Sequence, residues 1–155
     1  MDLLDIKDTV GIRIDKQYYD FFLNKTARGG EAERSLFKTD YQRFLWAFIL
    51  GLKAGKRKTL GKNPSSAFKW AVVKHQGDIS KMIIGLVVQE LYKDNIDALK
   101  NEFENAQGSG DTFSEKLRIA VEEYANAGFE IMLEKTMLCP DYIENVDEII
   151  KDITN

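Results

Sequence analysis

The chain has 155 residues, 44 % hydrophobic and 30 % charged, with a formal net charge of −3 and one cysteine. That length suits a single domain burying about 68 to 70 % of the surface its unfolded chain exposes, and the lone Cys139 excludes an intramolecular disulfide. The longest apolar run, Phe44 to Leu52, has nine residues against the roughly 20 that span a bilayer, and the opening MDLLDIKD lacks a signal peptide's basic and apolar stretches; a cytoplasmic protein with no membrane partner is expected.

The small net charge conceals a strong polarity. Residues 1–89 carry 16 Lys/Arg against 9 Asp/Glu, a balance of +7, whereas residues 90–155 carry 6 against 16, a balance of −10. Such asymmetry fits a basic face for nucleic acid and an acidic face for a protein neighbour, or two differently solvated surfaces.

In chain order, Val10, Ile12 and Ile14 alternate with Gly11 and Arg13, which predicts a short half-buried strand. Asp15 stands where an N-cap would, ahead of a first helix over Lys16 to Lys25. ARGGEAERS, with two glycines and no apolar period, reads as a surface loop. Thr39 or Asp40 opens the second helix, where Tyr41, Phe44, Phe48 and Leu52 recur at helical spacing, and Gly55 is its natural left-handed stop. Ser65 or Ser66 is expected to cap a short helix through Phe68, Trp70 and Val73, and Asp78 the next, from Ile79. Ile96 to Phe103 continues as helix, and AQGSGDT is a loop. Thr112 or Ser114 then opens a long helix ending before Cys139-Pro140, with Gly128 inside it as a point of close approach or a break. Asp141 is placed as the cap of a final acidic helix. The whole reads as mainly α: one helical bundle of about five to six helices with a short N-terminal β-strand or ribbon.

Few residues are equipped for catalysis. The single histidine, His75, cannot build a zinc site or the Glu-x-x-His pairs of a di-iron bundle, and it fits an exposed helix end better than a catalytic base. Glu122/Glu123 and Glu130/Glu134 could in principle hold magnesium, but the Glu-x-Lys tripeptide of one nuclease class is absent, which favours a solvated acidic face. Gly108-Ser109-Gly110 lacks a preceding strand and a third glycine, and neither Gly55-Lys56 nor Gly61-Lys62 continues into the Ser or Thr of a Walker loop. No catalytic residue, metal ligand or cofactor is assigned.

The most informative stretch is the positive one. From Lys53 to Lys62 five of ten residues are basic and none is acidic. The helix dipole accounts for Lys53 and Lys56, which leaves Arg57, Lys58 and Lys62 to explain. All five suit contacts to phosphate, while a plain solvated loop or a match to an acidic protein surface stands beside that reading.

VGIRIDKQYYDFF, LFKTDYQRFLWAFILGLKAGKRKTL and EEYANAGFEIMLEK together resemble the dnd system-associated protein 4 family of bacterial DNA phosphorothioation systems. The resemblance implies a cytoplasmic accessory protein of a DNA-modification or phage-defence operon, with no catalytic residues to carry over. The order strand, helix, loop, helix also matches a ribbon-helix-helix unit, in which Arg13 would face the bases and Thr39 would meet phosphate. The expectation is therefore a non-enzymatic accessory protein that touches the DNA backbone through its basic loop and meets protein partners through its acidic C-terminal helices. A protein-interaction adaptor without DNA binding is the alternative, a metal-dependent nuclease subunit a more distant one. The oligomeric state, homo-oligomers included, stays open.

Overall fold

A computed structural model of the chain describes residues 6–23, 39–106 and 110–155. It is mainly helical, as expected. Among the described residues, strand β1 (Gly11–Ile14) leads into α1 (Lys16–Tyr18), which widens into a π turn over Tyr19–Leu23. Then come α2 (Asp40–Ala54), β2 (Ser65–Lys69), α3 (Trp70–Lys74), α4 (Ile79–Tyr92), α5 (Ile96–Ala106) and the long α6 (Gly110–Leu138). A 3-10 turn at Tyr142–Glu144 precedes α7 (Val146–Thr154). The two strands pair antiparallel.

The chain divides into two compact units, Met1–Ile12 with Lys69–Val121, and Arg13–Phe68 with Glu122–Asn155. In the first, Trp70 is fully buried and its backbone N–H donates to the Val10 carbonyl at 2.9 Å, while Lys74 pairs with Asp8 at 2.7 Å. Helix α4 buries Ser80, Ile83, Ile84 and Val87, the stripe that a 3.6-residue period places on one face. Phe113 meets Tyr92 and Phe103 with ring centroids 6.4 and 5.9 Å apart.

The second unit is built around Phe129. Its ring lies 5.4 Å from that of Phe22 and 6.3 Å from those of Tyr18 and Phe44, an aromatic cluster at favourable offset and tilted geometries. Helix α2 approaches α6 through two glycines. A Cβ on Gly128 would lie 1.6 Å from the Ala47 carbonyl oxygen, and one on Gly51 would lie 1.9 Å from that of Tyr124. Gly128 thus permits close approach and leaves α6 unbroken. Thr39 opens α2 with a capping box, its side chain accepting from the Gln42 N–H while Gln42 Oε1 accepts from the Thr39 N–H. Gly55 closes it at φ +63°, as expected.

Several local expectations are corrected. Asp15 makes no cap bond, because its carboxylate is engaged by Gly61 and Asn126. The first helix is α for three residues only; the π turn carries both Phe22 and Leu23 into the core and leaves Phe21 49 % exposed. Ser65 and Ser66 begin a strand, since β1 takes its antiparallel partner there, and the helix starts at Trp70. Asp78 stands at the N-cap position of α4, its carbonyl accepting from the Met82 N–H at 3.0 Å, but its side chain makes no cap bond and lies 3.5 Å from Lys81. The final helix is capped by Asn145, whose side chain accepts from Glu148, because Asp141 opens a 3-10 turn. Helix α6 starts at Gly110, ahead of Thr112. The predicted ARGGEAERS loop, Lys25, and residues 107–109 of the AQGSGDT loop lie outside the described residues.

Candidate functional site

Beyond Gly55 the basic stretch runs along α6, and its backbone is tied down at several points. The Lys58 N–H donates to the Glu123 carbonyl at 3.1 Å, and the Gly61 N–H to the Asp15 carboxylate at 2.7 Å. Asn126, fully buried, holds three strands of chain together. Its Oδ1 accepts from the Asp15 N–H at 3.0 Å, and its Nδ2 donates to the Asp15 carboxylate at 3.0 Å and the Lys58 carbonyl at 3.3 Å. At φ 57°, Asn63 takes the left-handed conformation that asparagine tolerates best among residues with a side chain, and the chain turns there into Pro64 and β2.

Two of the cations are consumed by the fold. The Arg57 guanidinium pairs with Glu123 at 2.8 Å and stands over the Tyr124 ring, 5.6 Å from its centroid. Lys58 Nζ donates to Glu130 and to the Tyr18 hydroxyl, both at 2.7 Å. Burial opposes the charge on Lys58, but the bonds to Glu130 and Tyr18 outweigh it and hold its pKa above the usual lysine value. A lysine pKa raised in the folded state adds stability that is fully present below the unfolded value near ~10.4 and fades as pH climbs past it. Lys58→Met is therefore expected to cost on the order of 1 kcal/mol for this partly exposed pair. Urea denaturation should show the deficit constant from neutral pH to roughly 10 and shrinking above.

Lys53 donates to the Asp152 backbone carbonyl at 3.3 Å. Arg13 lies against Glu122, whose carboxylate is almost wholly buried and accepts from the Arg13 N–H at 2.6 Å and from Nε at 3.3 Å. The Thr39 hydroxyl serves its own helix. Among the described residues only Lys56 and Lys62 of the basic stretch have an exposed side chain with no ion pair or hydrogen bond to another side chain or carbonyl. The structure thus gathers Arg13, Arg57 and Lys58 onto acidic positions of α6 and leaves Lys56 and Lys62 on the surface of a pinned loop.

Three of the four carboxylates considered for magnesium have cationic partners: Glu122 faces Arg13, Glu123 faces Arg57 and Glu130 faces Lys58, while Glu134 is exposed. Among the described residues no three His, Cys, Asp or Glu side chains gather as a metal ligand set. His75 is exposed at the C-terminal end of α3. No described helix is long and apolar enough to cross a membrane.

Asn126, Asp15 and Tyr18 are the functional-looking residues that sequence reasoning missed. The signal for Asn126 was its place between Ala125 and Ala127, a polar side chain on an otherwise small and buried face. The model of a family described as DNA sulphur modification system-associated protein 4 matches residues 12–154. The chain belongs to that family. No curated protein and no solved structure matches it. The family match takes in the whole clamp, and the EEYANAGFE segment quoted for the resemblance acquires a physical meaning. Glu122, Glu123, Asn126 and Glu130 grip β1, the basic loop and the Asp15 turn, while Gly128 and Phe129 seat α2 and the aromatic cluster.

Proposed function

We propose that this member of the DNA sulphur modification system-associated family is a non-enzymatic accessory protein of a bacterial DNA phosphorothioation and phage-defence system. It contacts the DNA backbone through its basic loop and meets a protein partner through its acidic C-terminal helices. Support for the DNA half comes from one observation: Lys56 and Lys62 are exposed on a loop whose backbone is already held by Glu123, Asn126 and Asp15. Cations on a pre-organised loop bind phosphate with little further loss of chain entropy, whereas Arg57 and Lys58 must first leave their carboxylates.

Salt titration tests this reading. Two phosphate contacts, from Lys56 and Lys62, predict a log-log slope of affinity against salt of about −1.8 on duplex DNA, and participation of all five cations would steepen it to about −4.5. Replacing Lys56 and Lys62 together with alanine should remove most of the slope. Absence of measurable binding at roughly 50 mM salt would sink the DNA half. The adaptor reading, without DNA, draws on Met137 and Leu138, which are 75 % and 86 % exposed at the end of α6.

A further inference from the structure

Beyond Met137 and Leu138, the end of α6 and the 3-10 turn form one wall of a groove of about 420 Å³. Its apolar surface comes from Phe21, Pro140 and Ile143, with Thr136 beside them, and its carboxylates are Asp20 and Glu144. Arg43 also lines it, but only 1 % of that residue is exposed and its guanidinium donates to the Phe22 carbonyl at 3.0 Å. Asp20 faces Lys16, whereas Glu144 has no ion pair among the described residues. The surrounding chain is acidic as well: residues 131–155 hold six Asp/Glu and two Lys, and one of those lysines, Lys135, is bound to Asp152.

We propose that this groove docks a basic amphipathic segment of a partner protein. An apolar side chain of that segment enters between Phe21, Pro140 and Ile143, while flanking Lys or Arg side chains reach Glu144 and Asp20. Charge complementarity favours this occupant, because carboxylates around an apolar slot repel an acidic ligand and steer a basic one. A second copy of this chain is a poor fit. Its own basic stretch offers Leu60 as the one large apolar residue and lies clamped along α6. The proposal rests on the protein-partner half of the function above and uses none of the residues of the DNA half.

The test is a titration of isotopically labelled full-length protein with an amphipathic Leu/Lys helical peptide of about 18 residues, five turns long, followed by NMR. Shift changes should concentrate at Asp20, Phe21 and Thr136 to Glu144. Glu144→Lys should weaken binding about tenfold or more, as loss of a central charged contact does. Glu104→Lys, on α5, should leave it unchanged, and a Leu/Glu peptide should not bind. DNA affinity measured in parallel should be the same for wild type and Glu144→Lys, so that failure of one half is visible apart from the other. Phe21→Ser supplies a second groove variant if Glu144→Lys perturbs folding. Shift changes elsewhere, equal affinity for the Leu/Glu peptide, or unaltered binding by both groove variants would overturn the proposal. So would groove shifts that follow protein concentration without peptide, which would mark a self-association surface.

Discussion

Gly128→Ala is expected to destabilise the protein by about 3 kcal/mol or more, near the upper end of what overpacking usually costs. Helix propensity alone gives the opposite sign, since alanine is favoured over glycine inside a helix by ~1 kcal/mol. Packing decides. The added Cβ would lie 1.6 Å from the Ala47 carbonyl oxygen, 2.4 Å from its carbon and 2.9 Å from its Cα, all backbone atoms that cannot rotate away. Helices α2 and α6 would have to separate, loosening the contacts that Phe129 makes with Phe44 and Phe22. Gly51→Ala should behave alike, with the Tyr124 carbonyl oxygen at 1.9 Å. Gly85 on α4 supplies the control. Nothing lies within 4 Å of a Cβ there, so Gly85→Ala should stabilise by roughly 0.5–1 kcal/mol. Urea midpoints of the three variants check the argument: an unchanged midpoint for Gly128→Ala would mean that the two helices are not in contact at this glycine.

The contrast shows how much was legible in the chain. Apolar spacing located α2, α4 and α6, because long amphipathic or buried segments carry their period in the residue types themselves. Gly55 and Thr39 were readable for a local reason: a left-handed stop and a capping box each depend on a few neighbouring residues. Asp15 and Ser65 were misread because their roles depend on distant partners, and Asp141 because a 3-10 turn intervenes between it and the final helix. Asp15 prefers Asn126, 111 positions away, to its own helix, and Ser65 pairs with a strand some fifty residues earlier. Serine and aspartate ahead of an apolar run look like caps in either case.

The basic stretch illustrates the same limit. Its composition is visible at once, yet composition does not say which cations are already neutralised. The acidic partners sit far along the chain, and Arg57 and Lys58 met theirs at separations of 66 and 72 residues. The charge asymmetry between the two halves of the sequence is therefore partly an internal affair: positive residues from before position 89 lie against negative residues of α6. What remains for a partner is smaller than the sequence total implies. It is also better placed, because the loop that carries Lys56 and Lys62 is bonded at Lys58 and Gly61.

Asn126 is the residue on which that placement depends, and its two simplest replacements should fail differently. Asn126→Ala removes all three hydrogen bonds and leaves the Asp15 N–H without its acceptor, for which a loss of about 2–3 kcal/mol is expected. It should also free the loop, lowering DNA affinity although no cation has been touched. Asn126→Asp keeps the shape and the acceptor for the Asp15 N–H, but it replaces a donor 3.0 Å from the Asp15 carboxylate with a second carboxylate. Two carboxylates at that distance cannot both be charged cheaply. Folding therefore favours a proton shared between them, and the folded state binds more protons than the unfolded one in the range above ~4, where free carboxyls have ionised. By linkage, the stability of this variant must fall as pH rises through that range. At neutral pH it should be at least as unstable as Asn126→Ala, whereas near pH ~4 a protonated carboxyl can donate to its neighbour and much of the deficit should disappear. Urea midpoints measured from about pH 4 to 7 for wild type and both variants distinguish the cases. A deficit for Asn126→Asp that is flat across that range would show that the Asp15 carboxylate does not face this position.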